Sequence, residues 1–315
     1  MSLIWQGKRV LVTGSAGVIG TSLVRKLSSQ GATILSIDLS PFKTSYEQKL
    51  KHIQTNLANH IPKEVSAFDP EVVFHLAAAF ERTVETPGYW ITSFENNVLL
   101  SHLLLRELEQ CPSLRTFVFA SSYLVYDPRL YRGNQGVYYL RESDAIAPRN
   151  LVGLAKYFTE RELEFIQKTV GKYRTISARI YRVYGRGSRD VISRFIRSSL
   201  RGKPIEVWGR KNRFDYIFAD DVAEGLMRLA ESEAIDGIVN LGSGVPHSID
   251  DVINILRSKL DNVLVQDCQC DYALEASCAD MSLFYKITGW LPGTSLKDGI
   301  SEIIAYEQRR MADEI

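Results

Sequence analysis

The stretch Thr13-Gly14-Ser15-Ala16-Gly17-Val18-Ile19-Gly20 constrains this chain more than any other. It joins an apolar run, Val10-Leu11-Val12, to a helical stretch from Val18 to Gln30 that Gly31 ends. A second β-rich run, Ala32 to Asp38, closes on an acid. Gly14 permits a tight turn, Gly17 lets a phosphate approach the backbone, and Gly20 lets the helix pack close to a sheet. The helix start offers free N–H groups and a positive dipole end to a pyrophosphate. Turns collect glycine for other reasons, so the context carries the inference: strand before, helix after, acid at the end of the next strand. Gly14, Ala16, Gly17, Val18, Ile19 and Gly20 are therefore candidate dinucleotide contacts. At Asp38 a carboxylate can accept the adenosine ribose hydroxyls and repel a 2′-phosphate, which favours NAD over NADP. Taken alone, Asp38 also reads as a cap for the segment after Ser40.

The alternation continues. His52–Asn56 reads as a weaker third strand, Glu71–Leu76 as a fourth and Thr116–Ser121 as a fifth. Long helices are expected at about Ile91–Gln110, closed by Pro112, and Val152–Thr169, followed by Gly171; Arg174–Ile180 is a sixth strand. Apolar strands alternating with helices imply a parallel sheet covered on both faces. After Tyr184 the rhythm changes. Glycines and Pro204 punctuate short elements, and helices recur at about Asp220–Ser232, Ile249–Leu260 and Ser295–Arg310. The strand near Ile238–Leu241 is expected to return to the main sheet. The expected fold is α/β, a Rossmann-type doubly wound parallel sheet with a smaller C-terminal α+β lobe. Residues 1–180, plus about 212–245, form the cofactor domain, and 181–211 and 246–315 the substrate lobe.

A chain of 315 residues can bury a sizeable core, and 45% apolar with 24% charged residues is a globular mix. The formal net charge of +1 gives no basic excess, so neither a nucleic acid nor a membrane is expected as partner. No apolar stretch approaches about 18 residues and no secretory leader is recognisable, so a cytoplasmic protein is expected. Cys111, Cys268, Cys270 and Cys278 form no CxxC pair and have no His at ligand spacing. They read as reduced thiols, and no metal is expected.

Further residues follow in a telling order. The chain resembles the extended short-chain dehydrogenase/reductase family of NAD-dependent nucleotide-sugar epimerases and dehydratases, over nearly its whole length. The glycine spacing is that family's three-residue form. Asn56-Leu57 resemble its adenine-contacting pair, and His75-Leu76-Ala77-Ala78 its strand-four motif along the cofactor. Asn97 stands where the family has a helix Asn tying central strands together. Phe119-Ala120-Ser121-Ser122-Tyr123-Leu124-Val125-Tyr126 resembles the strand-five segment, with the catalytic Ser/Thr at Ser122. Arg179 through Tyr184-Gly185, Trp208-Gly209, Arg213, Asp220-Asp221-Val222 and Asn240-Leu241-Gly242-Ser243-Gly244 complete the series. The resemblance implies NAD contacts from Leu57, Leu76, Ala77, Ala78, Asn97, Ala120, Ser121 and Lys156.

One departure bears on mechanism. In the family a Tyr and a Lys one helical turn apart move the proton while a hydride moves to or from nicotinamide. Positions i and i+4 share a helix face, and the Lys charge favours the phenolate. Here the Lys is Lys156, and four residues earlier stands Val152, which cannot exchange a proton. No Tyr lies between Leu140 and Lys156. The family's 4,6-dehydratases carry an Asp-Glu pair after the catalytic Thr; Tyr123 and Leu124 replace it, which disfavours elimination. The replacement for the missing phenol is sought first in Tyr123, beside Ser122. Tyr139, Glu142, Asp144 and Lys156 acting through water are alternatives, while Tyr126 reads as structural. Tyr123 and Tyr139 also read as plain aromatic packing.

In the substrate lobe Arg182 replaces the family's usual Asn. Arg186, Arg189, Arg194, Arg197, Arg201, Arg210 and Arg213 follow, and guanidinium groups suit a diphosphate, although each of them apart from Arg213 reads first as solvated surface. Arg213 resembles the family's phosphate-binding Arg, and Trp208 is a candidate nucleobase neighbour. Cys270 to Cys278 occupies the stretch where relatives carry a late sugar-contacting Arg. His75 reads as packed beside the cofactor, and His102 as a surface or interface residue. The two long helices match the pair through which relatives dimerise, although packing on the chain's own sheet gives the same stripe. The expectation is an NAD-dependent epimerase or dehydrogenase acting on a nucleotide-diphosphate sugar, with hydride transfer at a ring carbon such as C4. Ser122, Tyr123 and Lys156 are the candidate catalytic residues, and Ser122, Tyr123, Arg182, Trp208 and Arg213 the candidate substrate contacts. The alternative is a catalytically silent NAD-binding protein of the same fold with a regulatory or assembly role.

Overall fold

The structure, a computed structural model, describes residues 4–42, 49–80, 86–133, 136–269 and 273–313. Cys270, at the start of the stretch where relatives carry the late Arg, lies outside them. The strands are β1 (Arg9–Thr13), β2 (Thr33–Asp38), β3 (Leu50–Gln54), β4 (Val72–His75), β5 (Thr116–Ser122), β6 (Tyr138–Leu140) and β7 (Arg174–Ile180). They continue as β8 (Arg182–Tyr184), β9 (Ile205–Trp208), β10 (Arg213–Phe218), β11 (Gly237–Leu241), β12 (Pro246–Ser248), β13 (Val265–Cys268) and β14 (Ala276–Ala279). The helices are α1 (Val18–Ser29), α2 (Glu64–Phe68), α3 (Pro87–Ser93), α4 (Leu100–Leu108), α5 (Leu151–Thr169), α6 (Val191–Leu200), α7 (Ala219–Glu231), α8 (Ile249–Arg257), α9 (Ser282–Thr288) and α10 (Leu296–Asp313).

Seven parallel strands form one sheet in the order β11-β7-β5-β4-β1-β2-β3. The order reverses between β1 and β4, so the chain leaves their carboxyl ends in opposite directions, which opens the crevice where open α/β sheets bind ligands. Helices cover both faces. Leu23, Val24 and Leu27 of α1 join Val222 and Leu226 of α7 in one core, and Leu104, Leu108 and Leu163 of α4 and α5 join Val65 of α2 in the other. The seven-stranded, doubly covered sheet is the Rossmann-type α/β fold expected from the alternation. The strand expected at Ile238–Leu241 is β11, which pairs with β7.

A smaller sheet, β12-β10-β14-β6 with β8 on β10, draws its strands from distant segments of the chain. α6, α8 and α10 enclose a separate core around Phe195, Val252, Leu256 and Ile300. Local chemistry starts two of these helices: Asp190 caps α6 through Ile192 and Ser193 N–H, and Ser248 with Asp251 makes a reciprocal capping box on α8.

Three local differences from the sequence reading matter. The third strand starts two residues early, at Leu50, leaving Asn56-Leu57 in the turn that follows. The first long helix begins at Pro87 and changes to a π-helical turn over Phe94–Leu99 before continuing as α4. Arg194 and Arg197 fall on α6, a helix that the punctuation by glycine conceals in the sequence. No helix among the described residues is long and apolar enough to cross a membrane.

Candidate functional site

The glycine turn is fixed by contact as much as by conformation. Gly14 has φ +71°, and a Cβ there would lie 2.6 Å from the Ala77 amide nitrogen; a Cβ on Gly20 would lie 2.2 Å from the Gly14 carbonyl oxygen. Only glycine lets β1, α1 and the segment after β4 meet so closely. Asp38 ends β2 beside this turn. Its carboxylate accepts from Ala16 N–H at 2.9 Å and from Ser40 N–H at 2.8 Å, so it both braces the turn and caps the next segment.

A cleft of about 290 Å³ opens here, lined among others by Gly14, Ala16, Gly17, Asp38, Asn56, Leu57, Leu76, Ala77 and Ala78. These sequence-predicted cofactor positions thus share one cavity wall. Val18, Ile19 and Gly20 form the first turn of α1 behind it. Asn97 is buried in the π turn and accepts from Ala79 N–H at 2.8 Å, pinning the segment after β4, while its neighbour Asn96 lines the cleft. The extra residue of the π turn has no signature in the sequence. The Ser121 hydroxyl donates to Glu160 at 2.5 Å, and Ala120 sits beside it on β5. A larger cleft, about 630 Å³, opens at the opposite, amino edge around Trp5, Arg115 and Tyr173. The glycine turn and the reversal of strand order between β1 and β4 belong to the carboxyl edge, where sheets of this kind open their ligand crevice.

At that edge Ser122 ends β5, and its hydroxyl caps the short turn Tyr123–Val125 by accepting from Leu124 N–H at 3.2 Å. Helix α5 is started by Asn150, which accepts from Gly153 N–H at 2.8 Å. A Cβ on Gly153 would stand 2.5 Å from the Leu124 carbonyl oxygen, so the first turn of α5 presses directly on the turn after Ser122. Val152 is buried in the same apolar cluster as Tyr123, Leu124, Tyr126 and Tyr181. Lys156, one turn on, lies with Nζ 4.6 Å over the Phe119 ring. Burial pulls its pKa down to about 8, with Glu160 opposing the shift. His75 is fully buried between the hydroxyls of Thr13 (2.7 Å) and Ser101 (3.0 Å). Burial, with Lys156 adding to it, takes its pKa down to about 3, so it is a neutral packed residue.

Tyr123 is the centre of a polar group. It stacks on Tyr181 at 5.1 Å, and its phenol oxygen accepts from Arg149 at 3.1 Å. Arg149 also donates to Glu275 at 2.8 Å, and Arg182 reaches the same carboxylate at 3.2 Å with its guanidinium 3.7 Å over the Phe214 ring. Sequence reasoning misses Arg149 and Glu275. They are 126 residues apart, and no local pattern marks either.

The remaining predicted residues divide. Arg213 is exposed on β10, its backbone N–H bonded to the Glu275 carbonyl oxygen at 2.8 Å. Trp208 is exposed at the end of β9, opposite Cys268. Arg186 pairs with Asp220 and Glu302, Arg197 with Glu307, and Arg210 with Asp250 and Asp267, so these three are tied into the fold. Tyr126 donates to Asn240 at 2.6 Å, and Glu142 accepts from Asn240 N–H at 2.8 Å, which commits both to structure. Among the described residues no group of three His, Cys, Asp or Glu side chains is arranged to hold a metal.

Comparison with known proteins agrees with this architecture. The chain is 27% identical to a dTDP-4-dehydro-6-deoxyglucose reductase of Escherichia coli, over 94% of this chain and 96% of the relative. It is 28% identical to an uncharacterized UDP-glucose epimerase of Bacillus subtilis, over 95% and 97%. Among solved structures, MoeE5 in complex with UDP-glucose and NAD superposes with a TM-score of 0.82 at 28% identity, covering 96% of this chain and 99% of that one. A UDP-glucose 4-epimerase of Thermotoga maritima with UDP-glucose gives 0.82 at 25% identity, over 96% and 99%. The model of the NAD dependent epimerase/dehydratase family matches residues 10–242, from β1 through β11, and the chain belongs to that family.

Proposed function

We propose that this protein is an NAD-dependent enzyme that oxidises a ring carbon, C4 in the first instance, of a nucleotide-diphosphate sugar. It then either returns the hydride to the opposite face, as an epimerase, or releases an oxidised product. The observation that carries this is Val152 sealed in the core beside Tyr123 where the family has its Tyr, with Ser122 ending β5 and Lys156, one helical turn after Val152, holding its Nζ over the Phe119 ring of the same strand. The glycine cradle, into which no Cβ would fit at Gly14, and the Asp38 carboxylate suit NAD. When bound, NAD takes a hydride from carbon and can give it back.

In this reading Ser122 holds the reacting sugar oxygen and Lys156 holds the nicotinamide ribose. Tyr123, as the phenolate, takes the hydroxyl proton in place of the missing phenol at 152 and later returns it. Arg149, donating to the Tyr123 oxygen, stabilises the phenolate that accepts the proton. Arg213 and Trp208 serve the diphosphate and nucleobase. Gly14 to Gly20, Asp38, Asn56-Leu57, Leu76 to Ala78, Asn97 and Ala120-Ser121 surround NAD. A homodimer is part of the proposal. Trp90, Ile91 and Phe94 on the first long helix and Leu154, Phe158 and Phe165 on α5 are all exposed, a run of apolar side chains that a second copy would cover.

The test is to add a panel of UDP-, dTDP- and GDP-sugars to the NAD-loaded protein and follow reduced-nicotinamide absorbance and the sugar products. Altered sugar or reduced cofactor is expected with at least one of them, and Ser122→Ala abolishes it. The buried Val152 favours the second reading, a catalytically silent NAD-binding protein. NAD binding with no turnover of any sugar would select it.

A further inference from the structure

The group around Tyr123 holds more hydrogen-bond donors than its own acceptors can use. Arg149, Arg182 and Arg132 converge on the single carboxylate of Glu275, at 2.8, 3.2 and 3.8 Å. Three guanidinium groups share one carboxylate, and the resulting positive surplus is only partly solvated: Arg149 and Glu275 are largely buried, with side chains 15% and 10% exposed, while Arg182 and Arg132 are 31% and 44% exposed. The local donors go further. Arg182 Nε and the hydroxyls of Tyr131 and Tyr216 are buried and have no hydrogen-bond partner among the described residues. Both phenols lie in the field of this group: Tyr131 feels Arg149, Glu275 and Arg132, and Tyr216 feels Arg182 and Glu275. Burial raises both, Tyr131 to about 12, so each keeps its proton and can only gain by donating it to an acceptor.

We infer that Arg149, Arg182, Tyr131 and Tyr216 form a binding site for a carboxylate carried on the sugar ring, which makes the substrate an acidic nucleotide sugar. This rests on the nucleotide-sugar reading above. A carboxylate offers two oxygens with several lone pairs, matches the guanidinium fork, and offsets the surplus charge that Glu275 leaves. Its place favours the sugar over the diphosphate. The site shares Tyr123 with the reaction centre, one residue from Ser122, whereas Arg213 stands exposed beyond it on β10. Glu275 holds the guanidinium groups in position.

The experiment is calorimetric titration of the NAD-loaded full chain with UDP, UDP-glucose and UDP-glucuronate, and in parallel with GDP, GDP-mannose and GDP-mannuronate. Charge-assisted bonds to a buried carboxylate predict that the acidic sugar binds roughly tenfold or more tighter than its neutral counterpart in at least one pair. Arg182→Gln should bring that ratio to about one, and Tyr216→Phe, which deletes a single hydroxyl, should lower it by about threefold. Unchanged NAD binding shows that each variant is folded. Equal affinity for acidic and neutral sugars, or a preference that survives in both variants, overturns the carboxylate site and leaves the nucleotide-sugar reading standing. Failure of both nucleotides, all four sugars and the dTDP-sugars of the panel above to bind overturns that reading, and the carboxylate site with it.

Discussion

Arg149 links Tyr123 to Glu275: one nitrogen donates to the phenol oxygen at 3.1 Å, another to the carboxylate at 2.8 Å. The link joins the turn after β5 to the segment before β14 and sets a cationic donor against the phenol oxygen, which favours its phenolate. If Tyr123 moves the proton, Tyr123→Phe keeps the ring stacked on Tyr181 but removes the transfer. Turnover should fall by about 10²–10⁴-fold with little change in nucleotide-sugar affinity. Steady-state kinetics beside a binding titration checks this. Retention of full activity would assign the proton to another group.

Lys156 gives a pH signature in the protein without cofactor. Burial lowers its pKa from about 10.5 to about 8. Between those values the unfolded chain binds more protons than the native one, so stability rises with pH through that window; below pH 8 the full cost of the buried charge is present. Lys156→Met should therefore stabilise the cofactor-free protein at pH 7 by about 3 kcal/mol, with the gap closing between pH 8 and 10.5. Urea unfolding across that range checks it, and a gap independent of pH would mean that Lys156 is not buried as a cation.

How far the sequence reaches follows from the range of the interactions. The unit from β1 to Asp38 is local, with turn chemistry and apolar runs adjacent, and is legible throughout. The start of β3 is not, because Leu50-Lys51-His52-Ile53-Gln54 forms an edge strand and offers no continuous apolar run. Helix α6 hides behind Gly185 and Gly187. Ser122 and Lys156 stand out through ordered motifs, but Glu275 becomes a site residue only when β14 is laid beside β10. The arginine series apart from Arg213 reads in the sequence as solvated surface, and its ion pairs are hidden for the same reason: Arg186, Arg197 and Arg210 have distant acidic partners that no spacing announces.

Gly153 tests whether the approach of α5 to the reaction edge matters. Alanine would favour the helix by up to about 1 kcal/mol, but its Cβ would stand 2.5 Å from the Leu124 carbonyl oxygen, a backbone atom with little freedom to yield. Overpacking should win, so Gly153→Ala is expected to cost about 1–3 kcal/mol. It should also lower turnover by displacing the turn that Ser122 caps. Denaturant unfolding and kinetics on the same sample check both, and a stabilised, fully active variant would show the contact to be slack.

The apolar faces of the two long helices give the last prediction. Phe94 is 54% exposed and Phe158 52% exposed, and His102 pairs with Glu162 at 2.5 Å between the same two helices. Water would be expelled from these rings if two copies met face to face, at about 25 cal/mol per Å² of apolar surface removed. Phe94→Glu with Phe158→Glu places like charges opposite one another in a symmetric contact, where each repeats across the twofold axis. Sedimentation equilibrium should then find a dimer for the parent chain and a monomer for the double variant, with the dissociation constant raised by roughly 100-fold or more. Neither side chain lines the glycine cleft or bonds to Tyr123, so NAD binding should persist in the monomer and separates loss of the contact from loss of the fold. A double variant that still sediments as a dimer would place the interface elsewhere.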